Sequence, residues 1–595
     1  MTTDAWGIDD GWHDVQGEWH QVPQETVDAI RAEMGDPSDR PTWAVRPGAE
    51  EPLRSPCRLT LEDGTDAGEL ERLPPDLPLG IHELAPLDGG PTTTLLLSPG
   101  RCHLPDGLRE WGVTMQVPTA RSSRSWGIGD LADVRAVGEW VAKRGGQVVA
   151  LSPLHAPTPV PPIATSPYYP SSRRWRSPLL IRVDEVGPQD EVIRSLADQA
   201  RAALADPLVR RDECWARQRE ALEHLWGSLG SGQRGEAEQW ARQQGHELER
   251  WGSFCALAEV HGPDWREWPS DLRHPDSPAV RGAVDELADR VAFHSWLQLL
   301  VEDQLDRASG AGVRLIQDLA VGVDPGGADA WIWQDLLAPG FSIGAPPDEF
   351  EQEGQSWALP PWIPSRLRDV GYRPLASLLR AAMVRGGGLR IDHVMGLTRL
   401  FWVPEGGGPR DGAYVRFAGH ELLEVVALES ARAGAIVVGE DLGTVEEGLR
   451  DELRDRGILS TKVVWFEEQP PEGWPPQSLA MATTHDLPTI AGMVHGSDAP
   501  DAMRVRLERL VGPLEGRPLG EIDQAVHHHL GRSPSVLALA TLEDLLEVEP
   551  RPNEPGTTDD ERPNWSQALP VLVDDLPLDP GAGAILSALA AGRDD

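Results

Sequence analysis

The sequence is poor in cysteine and in long apolar runs, and each shortage excludes a class of protein. Its 595 residues include four cysteines, which are scattered and never form a C-x-x-C pair: Cys57, Cys102, Cys214 and Cys255. We therefore expect buried free thiols rather than a disulfide framework or a zinc site. No run reaches the roughly 18–20 apolar residues of a membrane span, and the start, MTTDAWGIDDGWHD, does not resemble a signal peptide. A cytoplasmic protein without a membrane partner is expected.

Positive charge is also scarce. The 54 lysines and arginines are outnumbered by 95 aspartates and glutamates, which gives a formal net charge of −41, and only Lys143 and Lys462 are lysines. Because nucleic acid is a polyanion, this charge argues against it as a partner. A neutral substrate such as a sugar meets no such repulsion.

The length predicts at least two folding units. Residues 1–105 have the pattern of an accessory domain with a short helix and a β-rich part. Helical periodicity at Gln24–Met34 is followed by short apolar runs between prolines and glycines, such as Gly80–Leu87 and Thr92–Leu97. No repeat of fixed period is present.

Residues 106–595 alternate short apolar runs with amphipathic helices, which predicts an α/β fold of the (β/α)8 barrel type. The runs expected to form barrel strands are Gly112–Gln116, Gln147–Leu151, Val313–Asp318, Leu389–Asp392, Ala435–Glu440, Lys462–Phe466, Ala480–Thr484 and Val536–Thr541.

Two long connections interrupt this alternation. Residues 158–310, after the second strand, predict an inserted helical subdomain, and Trp331–Tyr372 predicts a long ordered loop over the barrel mouth. The helical stretches of the insertion are Glu191–Leu204, Arg211–Leu229, Gly235–His261 and Ala283–Arg307.

Acidic residues stand at the ends of three predicted strands, in LRIDHVMG (389–396), VVGEDLGT (437–444) and MATTHDLPT (481–489). A single acid there would commonly be a helix cap, but three, two of them beside histidine, favour a reaction site. Cleavage of an acetal needs a proton donor and an anion facing the anomeric carbon, which a carboxyl pair supplies. A separation of about 5–5.5 Å indicates retention of configuration, and about 6.5 Å or more indicates inversion.

The two roles require different surroundings. Arg390 shares a strand face with Asp392 and is expected to keep that carboxylate ionised. Glu440 needs a less polar setting to hold its proton. Asp441 points to the other face of its strand and is expected to be structural.

Several segments from Trp111 to Leu569 together resemble the amylomaltase, or disproportionating enzyme, family of 4-alpha-glucanotransferases. These segments are SRSWGIGDL (123–131), SPYYPSS (166–172), DLAVGVDPGGADAW (318–331), GAPPDEFEQEGQSW (344–357), GLRIDHVMGLTRLFWVP (388–404), VVGEDLGTVEE (437–447) and NEPGTTDDERPNW (553–565). The order of the segments is more specific than any one of them.

The resemblance implies roles for matching positions. Asp392 corresponds to the nucleophile, Glu440 to the general acid/base and Asp486 to a third carboxylate that holds sugar hydroxyls. Arg390, His393 and His485 correspond to residues that position the nucleophile and bind the donor sugar. The contacts implied with glucan are Asp348, Phe350, Gln355 and Trp357 in a lid, the acceptor platform Tyr168, and Asn553 near the donor site.

Some features depart from the family or have ordinary explanations. SRRWRSPLL, Ala358-Leu359-Pro360 and Leu487-Pro488 differ from the usual segments, which bears on chain-length preference and acceptor contacts. Of the 23 tryptophans, most are expected in the core, with Trp357 and Trp126 in the groove. His527–His529 predict a solvated helix end rather than a metal site, and no cofactor is expected.

The resemblance implies transfer of α-1,4-glucan segments from maltooligosaccharides, or from glycogen or starch products, to the 4-hydroxyl of an acceptor. The alternatives are a related α-glucan hydrolase or branching enzyme, and a non-catalytic glucan-binding protein. The accessory domain is expected to serve packing or assembly rather than glucan binding.

Overall fold

The computed structural model describes residues 2–14, 17–38, 40–347, 352–383, 385–417, 419–496 and 500–594. Eight strands, numbered β1 to β8 in chain order, form a closed parallel barrel, which confirms the predicted fold class. Their bounds are Glu110–Met115, Val148–Leu151, Arg314–Leu319, Gly388–Ile391, Ile436–Gly439, Ile458–Val463, Ser478–Met481 and Leu537–Thr541.

Three of the barrel strands are buried along their whole length. Every residue of β5, β7 and β8 is buried, and such strands have continuous apolar sequences rather than alternating ones. This explains why brief runs such as AIVVG were recognisable as strands.

The prediction for β6 was wrong in its position. The strand is Ile458–Val463, with Ser460, Thr461 and Lys462 inside it, whereas the expected run Lys462–Phe466 lies mostly in the following turn. Trp465 in that turn is fully buried, and its indole N–H donates to the Pro488 carbonyl at 2.9 Å. A buried turn therefore has the apolar composition of a strand.

The chain divides into two compact units, of which the first comprises Met1–Leu104, Val321–Pro325 and Trp333–Leu459. This unit contains the predicted helix Gln24–Met34 and a hairpin of Gly11–His13 with Trp19–Gln21. A five-stranded sheet is built from Thr42–Val45, Pro52–Thr60, Asp66–Arg72, Gly80–Pro86 and Thr93–Leu97. The boundary of an accessory domain at residue 105 stays a prediction.

A second, four-stranded sheet of the first unit contains part of the segment expected to be a loop. Its strands, in spatial order, are Gln355–Ser356, Phe341–Ala345, Arg399–Pro404 and Ala413–Arg416. The α-helices of this unit beyond the first are Pro364–Asp369, Arg373–Met383, Glu421–Ala433 and Leu449–Asp455.

The second unit comprises Pro105–Ala320, Gly326–Ile332 and Ser460–Asp595. It contains a short antiparallel pair, His155–Ala156 with Ser172–Arg176. Its α-helices are Leu131–Lys143, Glu191–Ala202, Arg211–Ser228, Ser231–Gln244, His246–His261, Pro278–Glu286, Ala288–Ser309, Ala328–Ile332, Ile490–His495, Asp501–Val511, Leu519–Arg532, Leu542–Leu545 and Pro580–Asp594.

Two of the predicted helices of the insertion are each divided in the structure. The expected helix Gly235–His261 is interrupted at Gly245, whose φ of 72° lies in the left-handed region, where glycine is favoured. The expected helix Ala283–Arg307 breaks at Leu287. The helical periodicity of the sequence continues across both breaks, so the breaks could not be predicted from it.

Aromatic side chains of the insertion pack together with Trp331, which follows β3, in one core cluster. Trp251, Phe254, Trp268 and Trp331 are almost completely buried in one cluster, and the rings of Trp268 and Trp331 lie 5.8 Å apart. All four cysteines are free and buried, as expected.

The prediction of a solvated helix end at His527–His529 was wrong for His527, which is fully buried. Its Nδ1 lies 2.8 Å from the Asp523 carbonyl, and burial lowers the pKa of the imidazole to about 4. Because one face of helix Leu519–Arg532 packs against Pro580–Asp594, consecutive histidines meet different surroundings. Within the described ranges, no group of three metal-ligating side chains is arranged to hold an ion, and none of the helices could span a membrane.

Asp544, in helix Leu542–Leu545, is a buried carboxyl outside any expected site. One carboxylate oxygen accepts the Ile490 N–H at 2.9 Å, while the other has no hydrogen-bond partner among the described residues. Burial raises the pKa of Asp544 to about 6. The folded protein therefore holds this proton more tightly than the unfolded chain does.

We expect Asp544→Asn to gain stability relative to the parent as the pH rises. The unfolded carboxyl releases its proton near 3.8 and the folded one near 6, so the parent loses stability across this interval, whereas asparagine does not titrate. Between about pH 5 and 8 the difference in unfolding free energy should change by about 1.4 kcal/mol in favour of the variant, as measured by urea denaturation. A constant difference, or the same trend for the exposed control Asp560→Asn, would contradict this.

Candidate active site

Asp392 and Glu440 lie at the ends of neighbouring strands of the first unit. Ile391, the last residue of β4, pairs with Gly439, the last residue of β5, so Asp392 and Glu440 come next on each. The Glu440 N–H donates to the Ile391 carbonyl, and the Val394 N–H donates to the Glu440 carbonyl, both at 3.0 Å. Both acids therefore leave the barrel at its carboxyl-terminal edge, where barrel enzymes have their active sites.

The Asp392 carboxylate has a cation beside it. Nη1 of Arg390 lies 3.2 Å from Oδ1 of Asp392, and both side chains are mostly buried, at 17% and 21% exposed. The two residues are two positions apart, so they project from the same face of the chain. A neighbouring guanidinium favours the ionised carboxylate, which is the form that acts as a nucleophile.

The surroundings of the Glu440 carboxyl have opposing effects on its pKa. Desolvation by burial raises its pKa, while the charge of Arg390 and hydrogen bonds from the Leu442 and His393 amides lower it; the net pKa is raised. The Leu442 N–H donates to Oε1 at 2.7 Å, and the His393 N–H donates to Oε2 at 2.9 Å. These amides fix the carboxyl, and its raised pKa suits a proton donor.

His393 has an unusual backbone that explains one of these contacts. Its φ is 48°, a left-handed conformation that is uncommon for residues other than glycine and tends to occur at functional sites. The turn places its N–H on Glu440. Burial lowers the pKa of the His393 imidazole to about 4, so the ring is neutral at physiological pH.

One of the expected lid residues, Trp357, contacts His393, and a second, Gln355, contacts Trp357. The rings of Trp357 and His393 are 5.2 Å apart in an edge-to-face arrangement, and the Trp357 indole N–H donates to Oε1 of Gln355 at 2.8 Å. Gln355 pairs with Ala345 in the four-stranded sheet. Asp348 and Phe350 lie outside the described residues.

Asp486 is held by side chains of the second unit. Its Oδ1 accepts from Nδ2 of Asn553 at 2.7 Å, and its Oδ2 lies 3.2 Å from Nε2 of His485. The Asn553 N–H also donates to the His485 carbonyl at 3.0 Å. Three residues selected from the sequence, His485, Asp486 and Asn553, therefore form one network.

Tyr168 lies beside this network in the same unit. Its ring is 4.9 Å from that of His485 and 5.4 Å from that of Trp565. Its hydroxyl donates to Oδ2 of Asp318 at 2.7 Å, which fixes the orientation of the ring.

Several residues of these networks were not selected from the sequence. Asp318 ends a predicted strand and Trp565 lies in the NEPGTTDDERPNW segment, so the sequence could have identified both as candidate site residues. No sequence pattern pointed to Arg551. Its Nη1 donates to the Asp486 carbonyl at 2.9 Å and its Nη2 to Glu554 at 3.0 Å. Glu543, whose pKa burial raises to about 7, has His485 near enough to oppose that shift.

The expectation that Trp126 lines the groove was wrong. Its side chain is only 1% exposed, and the indole N–H donates to Oδ1 of Asp184 at 3.0 Å. The residue is buried in the interior of the second unit. An aromatic side chain in a specific motif can therefore serve packing alone.

The closed barrel, with carboxyls at the carboxyl-terminal ends of its strands, places the protein in the class of α/β-barrel enzymes. A family model described as 4-alpha-glucanotransferase matches residues 115–572. The chain therefore belongs to the 4-alpha-glucanotransferase family, as its motifs indicated.

Individual relatives agree. A 4-alpha-glucanotransferase of Mycobacterium tuberculosis is 38% identical over 96% of this chain and 92% of its own length. One of Haemophilus influenzae is 31% identical over 87% of this chain and 85% of its own. The crystal structure of amylomaltase from Corynebacterium glutamicum superposes with a TM-score of 0.87 at 29% identity, covering 99% of both chains. These similarities support the transferase over the hydrolase, branching-enzyme and non-catalytic alternatives.

Proposed function

We propose that the protein transfers α-1,4-glucan segments between maltooligosaccharides by a retaining double displacement, with Asp392 and Glu440 as the reacting carboxyls. The observation that carries the proposal is the position of these two acids, next to each other in the register of β4 and β5. Their surroundings differ as the two roles require, because Asp392 has a guanidinium at 3.2 Å and Glu440 has a raised pKa.

In the first step Glu440 gives its proton to the glycosidic oxygen while a carboxylate oxygen of Asp392 bonds to the anomeric carbon. The bond from that carbon to the glycosidic oxygen breaks, and the shortened glucan leaves with a new hydroxyl. In the second step Glu440 takes the proton from the 4-hydroxyl of an acceptor glucan, whose oxygen displaces Asp392. Two inversions at one carbon retain its configuration.

Transfer requires that the acceptor reach the intermediate before water does. We assign water exclusion to the lid, Phe341–Trp357. Support comes from Trp357, whose ring contacts His393 next to the nucleophile, and from Gln355, which accepts the indole hydrogen bond. We assign Asp486, held by Asn553 and His485, to gripping sugar hydroxyls, and Tyr168 to an acceptor platform.

The test of the function is incubation of the full chain with maltotriose and separation of the products by size. We expect glucose together with a ladder of longer maltooligosaccharides, at a constant total of reducing ends, because each transfer breaks one glycosidic bond and forms another. A rising total would indicate a hydrolase, α-1,6 linkages would indicate a branching enzyme, and an unchanged substrate would indicate a non-catalytic protein.

A further inference from the structure

The first residues of the chain extend the four-stranded sheet of the first unit. Ile8 bridges antiparallel to Val415, the Asp9 N–H donates to the Tyr414 carbonyl at 3.0 Å, and the Arg416 N–H donates to the Gly7 carbonyl at 2.8 Å. Gly7 has a φ of +85°, and a Cβ there would lie 2.7 Å from the Arg416 carbonyl oxygen. The close approach therefore requires glycine.

This extension places a buried carboxylate against two arginines. Asp9 is 0% exposed. Its Oδ1 accepts from Nε of Arg416 at 2.7 Å, and its Oδ2 lies 3.5 Å from Nη1 of Arg399. Since a buried charge needs partners, Asp9 and these arginines depend on one another.

Arg416 continues the contacts toward the barrel. Its Nη1 and Nη2 donate to the two carboxylate oxygens of Glu446 at 3.0 and 2.7 Å, a bidentate pair. Nε of Arg399 lies 3.7 Å from the same carboxylate. The hydrogen bonds from Arg416 lower the pKa of Glu446. The two acids, Asp9 and Glu446, and the two arginines, Arg399 and Arg416, therefore form a cluster of ion pairs with no net charge.

Glu446 belongs to the segment that follows Glu440 at the end of β5. Between them lies Leu442, whose N–H donates to Oε1 of Glu440 at 2.7 Å. The segment is fixed at its start by this contact and at its end by Arg416. A series of contacts thus runs from Asp9 through Arg416 and Glu446 to the backbone that holds Glu440.

We propose that Asp9 is a positioning residue for the transfer reaction, acting through Arg416 and Glu446 on the segment that orients Glu440. The proposal rests on the proposed role of Glu440. In this proposal the first residues of the chain contribute to the reaction by positioning Glu440 and do not contact glucan.

The test is Asp9→Asn in the full chain, assayed for glucose release from maltotriose. Asparagine keeps the shape but loses the charge that holds Arg416, so kcat should fall on the order of tenfold while KM changes less than twofold, because orientation and not binding is disturbed. The matched control is Asp10→Asn. Asp10 is the exposed neighbour of Asp9, and its carboxylate accepts hydrogen bonds from Thr2 at 2.9 and 2.6 Å, so this variant should keep the parent kcat.

Glu446→Gln tests the other end of the series and does not depend on the stability of Asp9→Asn, because the Glu446 side chain is 29% exposed. Its kcat should fall by a similar factor, and the double variant should be no slower than the slower single one, since both interrupt one series.

An unchanged kcat in folded Asp9→Asn would overturn the proposal, as would effects that multiply in the double variant or a loss that matches the unfolded fraction seen by circular dichroism. If Asp9→Asn does not fold, an unchanged kcat in Glu446→Gln would overturn it. Failure of the proposed function is distinguishable, because it would appear as full turnover by Glu440→Gln.

Discussion

Asp392→Asn is expected to lower glucose release from maltotriose by about 10⁴-fold or more, which is the scale of losing a nucleophile. The amide keeps the size of the carboxylate but cannot form the ester with the anomeric carbon. It also removes the negative charge that lies 3.2 Å from Nη1 of Arg390. KM should change little, because the sugar contacts remain.

The control for this variant is Asp451→Asn, on an exposed part of helix Leu449–Asp455, which should keep parent activity. The unfolding temperatures of both variants should be measured, so that a loss of structure is not taken for a loss of chemistry. Turnover by folded Asp392→Asn within about tenfold of the parent would refute the role of this residue.

Glu440→Gln is expected to lower glucose release by about 10²–10⁴-fold, the usual contribution of a general acid. The effect should depend on the leaving group. With α-maltosyl fluoride the departing fluoride needs no proton, so the glycosyl-enzyme should still form, and azide, which needs no base, should release it as the α-azide. A β-azide, or no rescue of a folded variant, would contradict the assignment.

The pH profile gives a second readout of Glu440. Since its net pKa is raised, Glu440 keeps its proton to a higher pH than an ordinary glutamate, and the alkaline limb of kcat/KM should report the loss of that proton. In the glutamine variant this limb should disappear. An alkaline limb that persists unchanged would assign the proton to another group.

The barrel was predictable because its strands are continuous apolar runs ending in polar residues. The positions of Asp392 and Glu440 at strand ends were predictable for the same reason, since each follows such a run directly, whereas their roles stay a proposal. The position of β6 was not, because a strand with Ser460, Thr461 and Lys462 inside it precedes a buried turn at Trp465. Composition alone does not separate a buried turn from a strand.

Contacts between residues distant in sequence left no local pattern. Arg551 lies near Asp486 only in the folded chain, and Asp9 is about four hundred residues from Arg416. The burial of Trp126 and His527 was missed for a related reason. Both stand in segments whose composition suits a site or a surface, and only the packing of neighbouring helices decides that they are interior.

The cations in the series of contacts from Asp9 to Glu446 are arginines, and this determines how the ion pairs respond to alkaline pH. A guanidinium stays protonated well beyond pH 10, so these ion pairs persist at any alkalinity that the barrel itself survives. The contacts around Glu440, the proposed proton donor, are in this sense insensitive to base, so we expect a decline of activity on the alkaline side to originate in Glu440 rather than in these ion pairs.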